Sequence, residues 1–178
     1  QQMFTSLGLG EMGYGLPGAI GAAFANPNKP IICLNCDGGM MMNLQELQTI
    51  GANNLNIKIV VFNNDGYLMI KHTQNLLFGG RQTCVDQSNG VTVPDFGKVA
   101  FAFGIPNFKI RSERVQGIKS IWNMFMDVKG PALCEVFMAP DQDFIPKVKP
   151  LSVGEKIVPG PLEEMSPLLS FEEVDFNM

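Results

Sequence analysis

The chain of 178 residues has one histidine, one tryptophan and four cysteines, and no run of basic residues anywhere. With a formal net charge of −4 it lacks the clustered Lys and Arg that grip a phosphate backbone, which argues against nucleic acid as a partner. No uninterrupted apolar stretch reaches the ~18 residues that a membrane-spanning helix needs, and no secretory signal is visible, so no membrane association is expected. Cys33-x-x-Cys36 has redox or zinc spacing, but no second Cys-x-x-Cys follows and His72 is distant in sequence. The pair also falls on an expected strand, where such side chains point to opposite faces and do not readily share a metal. Cys33, Cys36, Cys84 and Cys134 are therefore read as reduced, buried thiols of a cytoplasmic protein.

What is present suits a globular domain: 46% of residues are hydrophobic, enough for a real core. Strand and helix patterns alternate. Leu16 to Ala25 reads as a helix packed through Gly18, Gly21, Ala22 and Ala23, and Asn26-Pro27-Asn28-Lys29-Pro30 stops it. Ile31-Ile32-Cys33-Leu34-Asn35 is short and poor in alternation, as a strand buried on both faces should be. A helix is expected over Leu44 to Asn53, with Leu44, Leu47, Gln48, Thr49 and Ile50 facing inward, then a strand from Ile57 to Phe62. Tyr67 to Leu77 reads as a short helix and Gly79 to Thr92 as a polar loop. Pro94-Asp95-Phe96 opens a helix that Gly104 ends. Phe108 to Ile110 is a strand, Val115 to Val128 a helix, and Ala132 to Met138 a final strand. The alternation predicts an α/β fold, a doubly wound, mostly parallel sheet with helices on both faces. Residues 1–139 form that domain. Beyond it, 140–178 reads as an extended tail, with six of the twelve prolines between Pro140 and Pro167 and no clear period.

The most informative pattern is Asp37-Gly38 followed, after 24 intervening residues, by Asn63-Asn64-Asp65-Gly66. It puts a carboxylate at the end of one apolar run and a carboxamide at the end of the next, with a helix between. In a strand–helix–strand unit both then stand at the carboxyl edge of neighbouring parallel strands, where open α/β sheets bind ligands. A hard cation such as Mg²⁺ takes oxygen ligands and shares them with substrate phosphates. Gly38 and Gly39 directly after the carboxylate let a diphosphate approach the backbone.

This spacing resembles the Gly-Asp-Gly…Asn-Asn signature of thiamine-diphosphate-dependent enzymes. Gly8-Leu9-Gly10-Glu11-Met12-Gly13-Tyr14-Gly15-Leu16-Pro17-Gly18-Ala19-Ile20-Gly21 resembles the segment that precedes the signature in acetolactate synthases and their relatives. Met42-Asn43-Leu44-Gln45-Glu46-Leu47-Gln48-Thr49-Ile50 resembles the helix that follows it. Cys36 departs from the pattern, standing where the first Gly is usual, while Asp37 is intact. The resemblance implies thiamine diphosphate and Mg²⁺ as cofactors, with Asp37, the Asn64 side chain and the Gly66 carbonyl on the metal. Gly10, Met12, Asp37, Gly38, Gly39, Asn64, Gly66, Leu68 and Met69 would contact the cofactor. Met12, 25 residues before Asp37, would prop it in its bent conformation. A 2-keto acid would be the small-molecule substrate, for decarboxylation or carboligation in the manner of acetolactate synthase. No catalytic residue is expected in this chain. The family's activating glutamate belongs to a pyrimidine-binding domain supplied by a partner subunit, so a homo-oligomer is implied. Family chains are longer and carry this domain last; the chain is read as a piece lacking the upstream domains.

Competing readings attach to several of these residues. Gly8-x-Gly10-x-x-Gly13 satisfies a dinucleotide fingerprint, but the fingerprint needs a preceding strand and the first seven residues are not strand-like. Met12 alone would be a core gap-filler. Asn63-Asn64-Asp65-Gly66 alone would suit a type I′ hairpin turn, though no alternating strand follows it. His72 is a tempting acid–base candidate, because histidine as a residue type titrates near neutral pH, yet the sequence identifies no Ser, Cys or Asp to work with it, so a structural histidine is favoured. Glu11 either approaches the cofactor or is solvated, and Asp65, between ligands, is free to point to solvent. The rival class is a non-enzymatic, Mg²⁺-dependent nucleotide- or diphosphate-binding regulatory module, which shares Asp37, Gly38 and Asn64 but has no need of Met12.

Overall fold

Ile57-Lys58-Ile59-Val60-Val61-Phe62 is rich in β-branched residues, which pack well on a pleated surface, and in the computed structural model it forms the central strand. The structure describes residues 2–6, 8–111, 117–148, 150–154, 156–162, 165–166, 173 and 176. Their elements run α1 (Gly15–Ala25), β1 (Ile31–Cys36), α2 (Asp37–Met42), α3 (Glu46–Ala52), β2 (Ile57–Asn63) and α4 (Leu68–Leu77). Then come α5 (Phe96–Ala102), β3 (Asn107–Ile110), α6 (Ile118–Asp127) and β4 (Ala132–Phe137), followed by four short strands, β5 (Lys147–Val148), β6 (Pro150–Val153), β7 (Lys156–Pro159) and β8 (Met165–Ser166).

Strands β1, β2, β4 and β3 pair in that order, all parallel. Alternate residues of β2 serve two cores, because successive side chains of a strand point to opposite faces. Ile57, Ile59 and Val61 join Leu16 and Ala19 of α1, Leu47 and Ile50 of α3, and Phe96 and Ala100 of α5. Val60 joins Ala132, Cys134 and Phe125, against which Ile121 and Trp122 of α6 pack. Each large apolar side chain so buried contributes roughly 1.5–3 kcal/mol. Helices thus cover both faces of a parallel sheet, as the alternation of strand and helix patterns predicted.

Several local expectations are corrected. β1 is not buried on both faces. It is an edge strand with Ile32, Leu34 and Cys36 exposed, because α1 covers one side while α6 packs against β3 and β4 on the other. Helix α1 packs through Leu16, Ala19 and Ala23, whereas a Cβ added at Gly21 would meet no neighbouring element within 4 Å. The stretch expected as one helix over Leu44–Asn53 is shorter, and Gln48 is exposed on it. A separate helix, α2, begins at Asp37 itself. The expected start of the last helix at Val115 lies outside the described residues. Residues Gln1–Asp141 form one compact unit and Gln142–Met178 another. Within the second, β5 pairs with β8 and β6 with β7, both antiparallel, which no hydrophobic period announces.

At the amino edge of the sheet, Lys58 is 1% exposed. Its ammonium donates to Asn56 Oδ1 at 2.9 Å and to the carbonyl of Val128 at 2.6 Å, and it also donates to the carbonyl of Gly130. Burial holds its pKa below the usual lysine range. The ammonium satisfies carbonyls at the end of α6, where a cation is favoured. Lys58→Met is expected to destabilise the fold by about 2–3 kcal/mol, since it strands buried carbonyls. A urea midpoint unchanged from the parent would show that these carbonyls find water instead.

Candidate functional site

β1 ends at Cys36 and β2 at Asn63, in parallel register with Cys36 opposite Phe62. Asp37 and Asn64 therefore emerge side by side at the carboxyl edge of the sheet. Asp37 is 1% exposed. Its Oδ1 accepts from the N–H of Gly38 at 2.8 Å. Its Oδ2 accepts from the N–H of Asn64 at 3.0 Å and from that of Gly66 at 3.1 Å. Burial pushes this carboxyl above its ordinary range, and the backbone donors of Gly38, Gly66, Asn64 and Asp65 pull it back. The carboxylate thus gathers the loop after β2 around itself.

That loop is shaped from beneath. Asn63 is 7% exposed, donates from Nδ2 to Glu135 Oε1 at 2.8 Å, and accepts at Oδ1 from the N–H of Asp65 at 2.9 Å. Glu135 is itself 1% exposed, with Lys109 Nζ 3.5 Å from its Oε2. The Asx turn carries Asp65 at φ +64° and Gly66 at φ +152°. A Cβ on Gly66 would lie 2.1 Å from the carbonyl oxygen of Val85, so only glycine fits there. Because helix α4 follows directly, the hairpin reading of this turn is excluded.

Asn64 Oδ1 is buried without a hydrogen-bond partner. An unsatisfied buried acceptor costs about 1–3 kcal/mol, so a cation beside it returns that cost. The Asp37 carboxylate, accepting two bonds at Oδ2 but only one at Oδ1, keeps a lone pair on Oδ1 for a metal. Among the described residues no group of three or more His, Cys, Asp and Glu converges, so the donors here are oxygens of one carboxylate, one carboxamide and backbone. That is a set for a hard cation.

Met12 is brought to the same place. A Cβ on Gly38 would lie 2.3 Å from Tyr67 Cε1 and 3.3 Å from the Met12 methyl, so the absent side chain is what lets each of them approach the backbone there. Asn43 Nδ2 donates to the Gly13 carbonyl at 2.9 Å and fixes the loop that carries Met12. Gly39 lies against Asn35, whose Oδ1 would be 2.6 Å from an added Cβ. Leu68 is buried and lines a small cavity with Asn64, Asp65, Gly66, Tyr67, Lys71 and Asp86. Gly10 has φ +65° and nothing near a would-be Cβ, and Met69 is 65% exposed. Asp65 and Glu11 are exposed; the Ser6 hydroxyl donates to Glu11 and lowers its pKa. His72 is half-buried on α4. No strand precedes Gly8 among residues 2–6, which removes the dinucleotide fingerprint.

Sequence reasoning missed Tyr67, Asn43 and the Asn63–Glu135 pair. Glu135 did carry a signal, a lone charge inside the apolar run of the last strand. The thiol expectation needs correction too, since Cys33 and Cys134 are buried but Cys36 and Cys84 are exposed. The residue that replaces the usual glycine before Asp37 sits on the uncovered face of an edge strand, which explains why a side chain is tolerated there.

The family model for the C-terminal TPP binding domain of thiamine pyrophosphate enzymes matches residues 1–136. The chain is 39% identical over 146 residues to the acetolactate synthase large subunit of Pyropia yezoensis, covering 82% of this chain and 24% of that protein. It is 32% identical over 160 residues to acetolactate synthase isozyme 1 large subunit of Escherichia coli K12, covering 89% and 27%. It is also 43% identical over 112 residues to a probable acetolactate synthase large subunit of Methanococcus aeolicus, covering 63% and 18%. The chain thus spans about a quarter or less of the length of these relatives.

The thiols next to the site separate by environment. Burial pushes Cys33 to about 11, and burial with the neighbouring Glu135 charge pushes Cys134 to about 11. Cys36, exposed at its surface but partly desolvated by its surroundings, is raised in the same direction, first by that desolvation and then by the Asp37 charge. Iodoacetamide at neutral pH is expected to label Cys84 first and Cys36 more slowly, with Cys36 accelerating as pH rises and its thiolate forms. Cys33 and Cys134 should react only on unfolding. Mass spectrometry finding Cys134 labelled as fast as Cys84 in the native protein would contradict this order.

Proposed function

Because this chain belongs to the thiamine pyrophosphate enzyme family, as its C-terminal cofactor-binding domain, we propose that Asp37, Asn64 and Gly66 hold a Mg²⁺ that anchors the diphosphate of thiamine diphosphate. The observation that carries this assignment is the orphaned Asn64 Oδ1 beside the buried Asp37 carboxylate. Gly10, Met12, Gly38, Gly39, Leu68 and Met69 are proposed to border the cofactor. When bound, thiamine diphosphate supplies a carbon nucleophile and an electron sink for 2-keto acids.

The chain's own residues bind and orient. Asp37 would neutralise the cation, the Asn63–Glu135 hydrogen bond fixes the turn that presents Asn64 and Gly66, and Met12, whose methyl lies near Gly38, would pack against the bound group and orient it. For the whole protein we propose action on a small-molecule 2-keto acid, by decarboxylation or carboligation, in a homo-oligomer. A pyrimidine-binding domain of a partner subunit would supply the activating glutamate. The cofactor-binding domain is proposed as 1–139, with 140–178 outside it, and the location as cytoplasmic. No helix of the described residues is long and apolar enough to cross a membrane. A non-enzymatic nucleotide- or diphosphate-binding regulatory module is disfavoured by the family match over residues 1–136.

Calorimetry on the full-length protein tests the anchor. Mg²⁺-dependent binding of thiamine diphosphate is expected for the parent and loss of it for Asp37→Ala, because the diphosphate loses its bridge. Equal affinities would sink the assignment. Met12→Ala is expected to leave affinity nearly intact while lowering kcat about a hundredfold, the scale for a misplacement of about 1 Å. Normal turnover by that variant would return Met12 to the role of gap-filler.

A further inference from the structure

Helix α4 and the loop after it are joined by polar clasps that reach the turn between Asn64 and Gly66. Lys71 Nζ lies 3.1 Å from Asp86 Oδ2, with both side chains 22% exposed. One helical turn on, Gln74 Nε2 donates to the Thr83 carbonyl at 3.0 Å and its Oε1 accepts from the Thr83 N–H at 2.9 Å. Residues at such spacing share a helix face, so Lys71 and Gln74 hold one strip of loop together.

The strip is a self-contained knot. Asp86 Oδ1 accepts from the N–H of Ser88 at 3.0 Å, from the Ser88 hydroxyl at 2.6 Å and from Asn89 Nδ2 at 2.9 Å. Asn89 Oδ1 accepts from the N–H of Val85 and of Asp86, and the N–H of Val91 donates to the Asp86 carbonyl at 3.0 Å. With Oδ1 committed to the knot, Oδ2 faces Lys71. The knot then grips the turn, for Gly66 and Asp86 form an antiparallel bridge and the Tyr67 N–H donates to the Val85 carbonyl at 2.8 Å. Asn64, Gly66, Lys71, Val85 and Asp86 all line one cavity of about 10 Å³, roughly the space of a single water.

We propose that Lys71 and Gln74 are positioning residues which, by clasping the 83–91 knot to α4, hold the Gly66 carbonyl and the Asn64 carboxamide ready for the divalent cation. This rests on the assignment of the cation to Asp37, Asn64 and Gly66. Asp37 is fixed at the end of a strand, but the other two donors lie in a turn whose outer wall is the knot. Releasing the wall lets Gly66 relax from φ +152° and turn its carbonyl away.

The test uses the full-length protein with Mn²⁺ and thiamine diphosphate as probes, for Lys71→Met, Lys71→Arg, the pair Lys71→Met with Gln74→Ala, and Asp37→Ala. In the ligand-free protein, amide exchange at Tyr67 and Val91 is expected to quicken at least tenfold in Lys71→Met while the global unfolding midpoint stays put. Mn²⁺ affinity, read by electron paramagnetic resonance with thiamine diphosphate present, should fall about tenfold, the scale for supporting partners of metal ligands. The pair should fall further, and Lys71→Arg should return to within twofold of the parent. If the parent binds, Asp37→Ala does not, and the double variant keeps parental affinity and exchange, the clasp is not a positioning device although the cation site stands. If Asp37→Ala binds as the parent does, the cation site itself fails. A fall in affinity matched by an equal fall in the global midpoint, without rescue by arginine, would mark Lys71 as merely structural and overturn the proposal.

Discussion

A buried carboxylate with backbone amides for company is the constraint on which this domain's working edge depends. Asp37 accepts from Gly38, Asn64 and Gly66, and no ion pair to a lysine or arginine of the described residues reaches it. A buried charge without partners is costly, so three N–H dipoles from two chain segments are drawn in to meet it. Meeting it fixes the geometry of everything around. The end of β1 is tied to the loop beyond β2, Gly66 is pulled against Val85 where no side chain fits, and Tyr67 is laid over Gly38. The arrangement leaves Asn64 Oδ1 unsatisfied. Local departures from full hydrogen bonding, together with two consecutive positive φ angles, concentrate where a ligand can repay them.

The polar groups buried in the sheet divide the labour by edge. Among the described residues they are Asp37, Lys58, Asn63 and Glu135. Lys58 secures the amino edge by collecting carbonyls after α6, which is an architectural task. Asn63 and Glu135 serve the carboxyl edge, where one carboxamide bridges a neighbouring strand and the turn that bears the proposed metal donors. Between the edges β2 carries Ile59, Val60 and Val61, whose opposite faces feed separate cores.

Much of this was legible in the chain, for stated reasons. The β-branched run from Ile57 and the motif spacing located the strands and put Asp37 and Asn64 at one edge. Asp95 before Phe96 marked a helix start, and its side chain does accept from the Lys98 N–H at 3.1 Å. What was not legible depended on neighbours. Helix α2 starts on Asp-Gly-Gly, residues of low helical preference, and its single turn and a half is stabilised by the Asp37 contacts and by burial of Met40. The exposure of Ile32 and Leu34 follows from β1 lying at the edge, and strand order is a property of the whole sheet. That the ring of Tyr67 would lie against Gly38 was not legible either, a contact between residues far apart in sequence.

The two halves of the candidate cation site are anchored in material of different local stability. Asp37 is rooted where β1 passes into α2, beside buried core. The turn from Asn64 to Gly66 is rooted on one side in β2 and on the other in a loop that offers one buried residue, Val85, among the described residues between Gly79 and Asp95. Segments with few buried apolar contacts and polar clasps open at lower free energy than strands do. A ligand shared by both halves therefore stabilises chiefly the softer one, since the stiffer half has little left to gain. The polar knot around Asp86 is the counterweight, supplying through six side-chain hydrogen bonds and an ion pair the order that apolar burial does not. Asp86 stays ionised for that purpose, its carboxyl held below the usual range first by the Ser88 hydroxyl and then by Lys71. Order in the loop thus rests on electrostatics at a half-exposed surface, while order at Asp37 rests on burial, and the proposed cation donors straddle that divide.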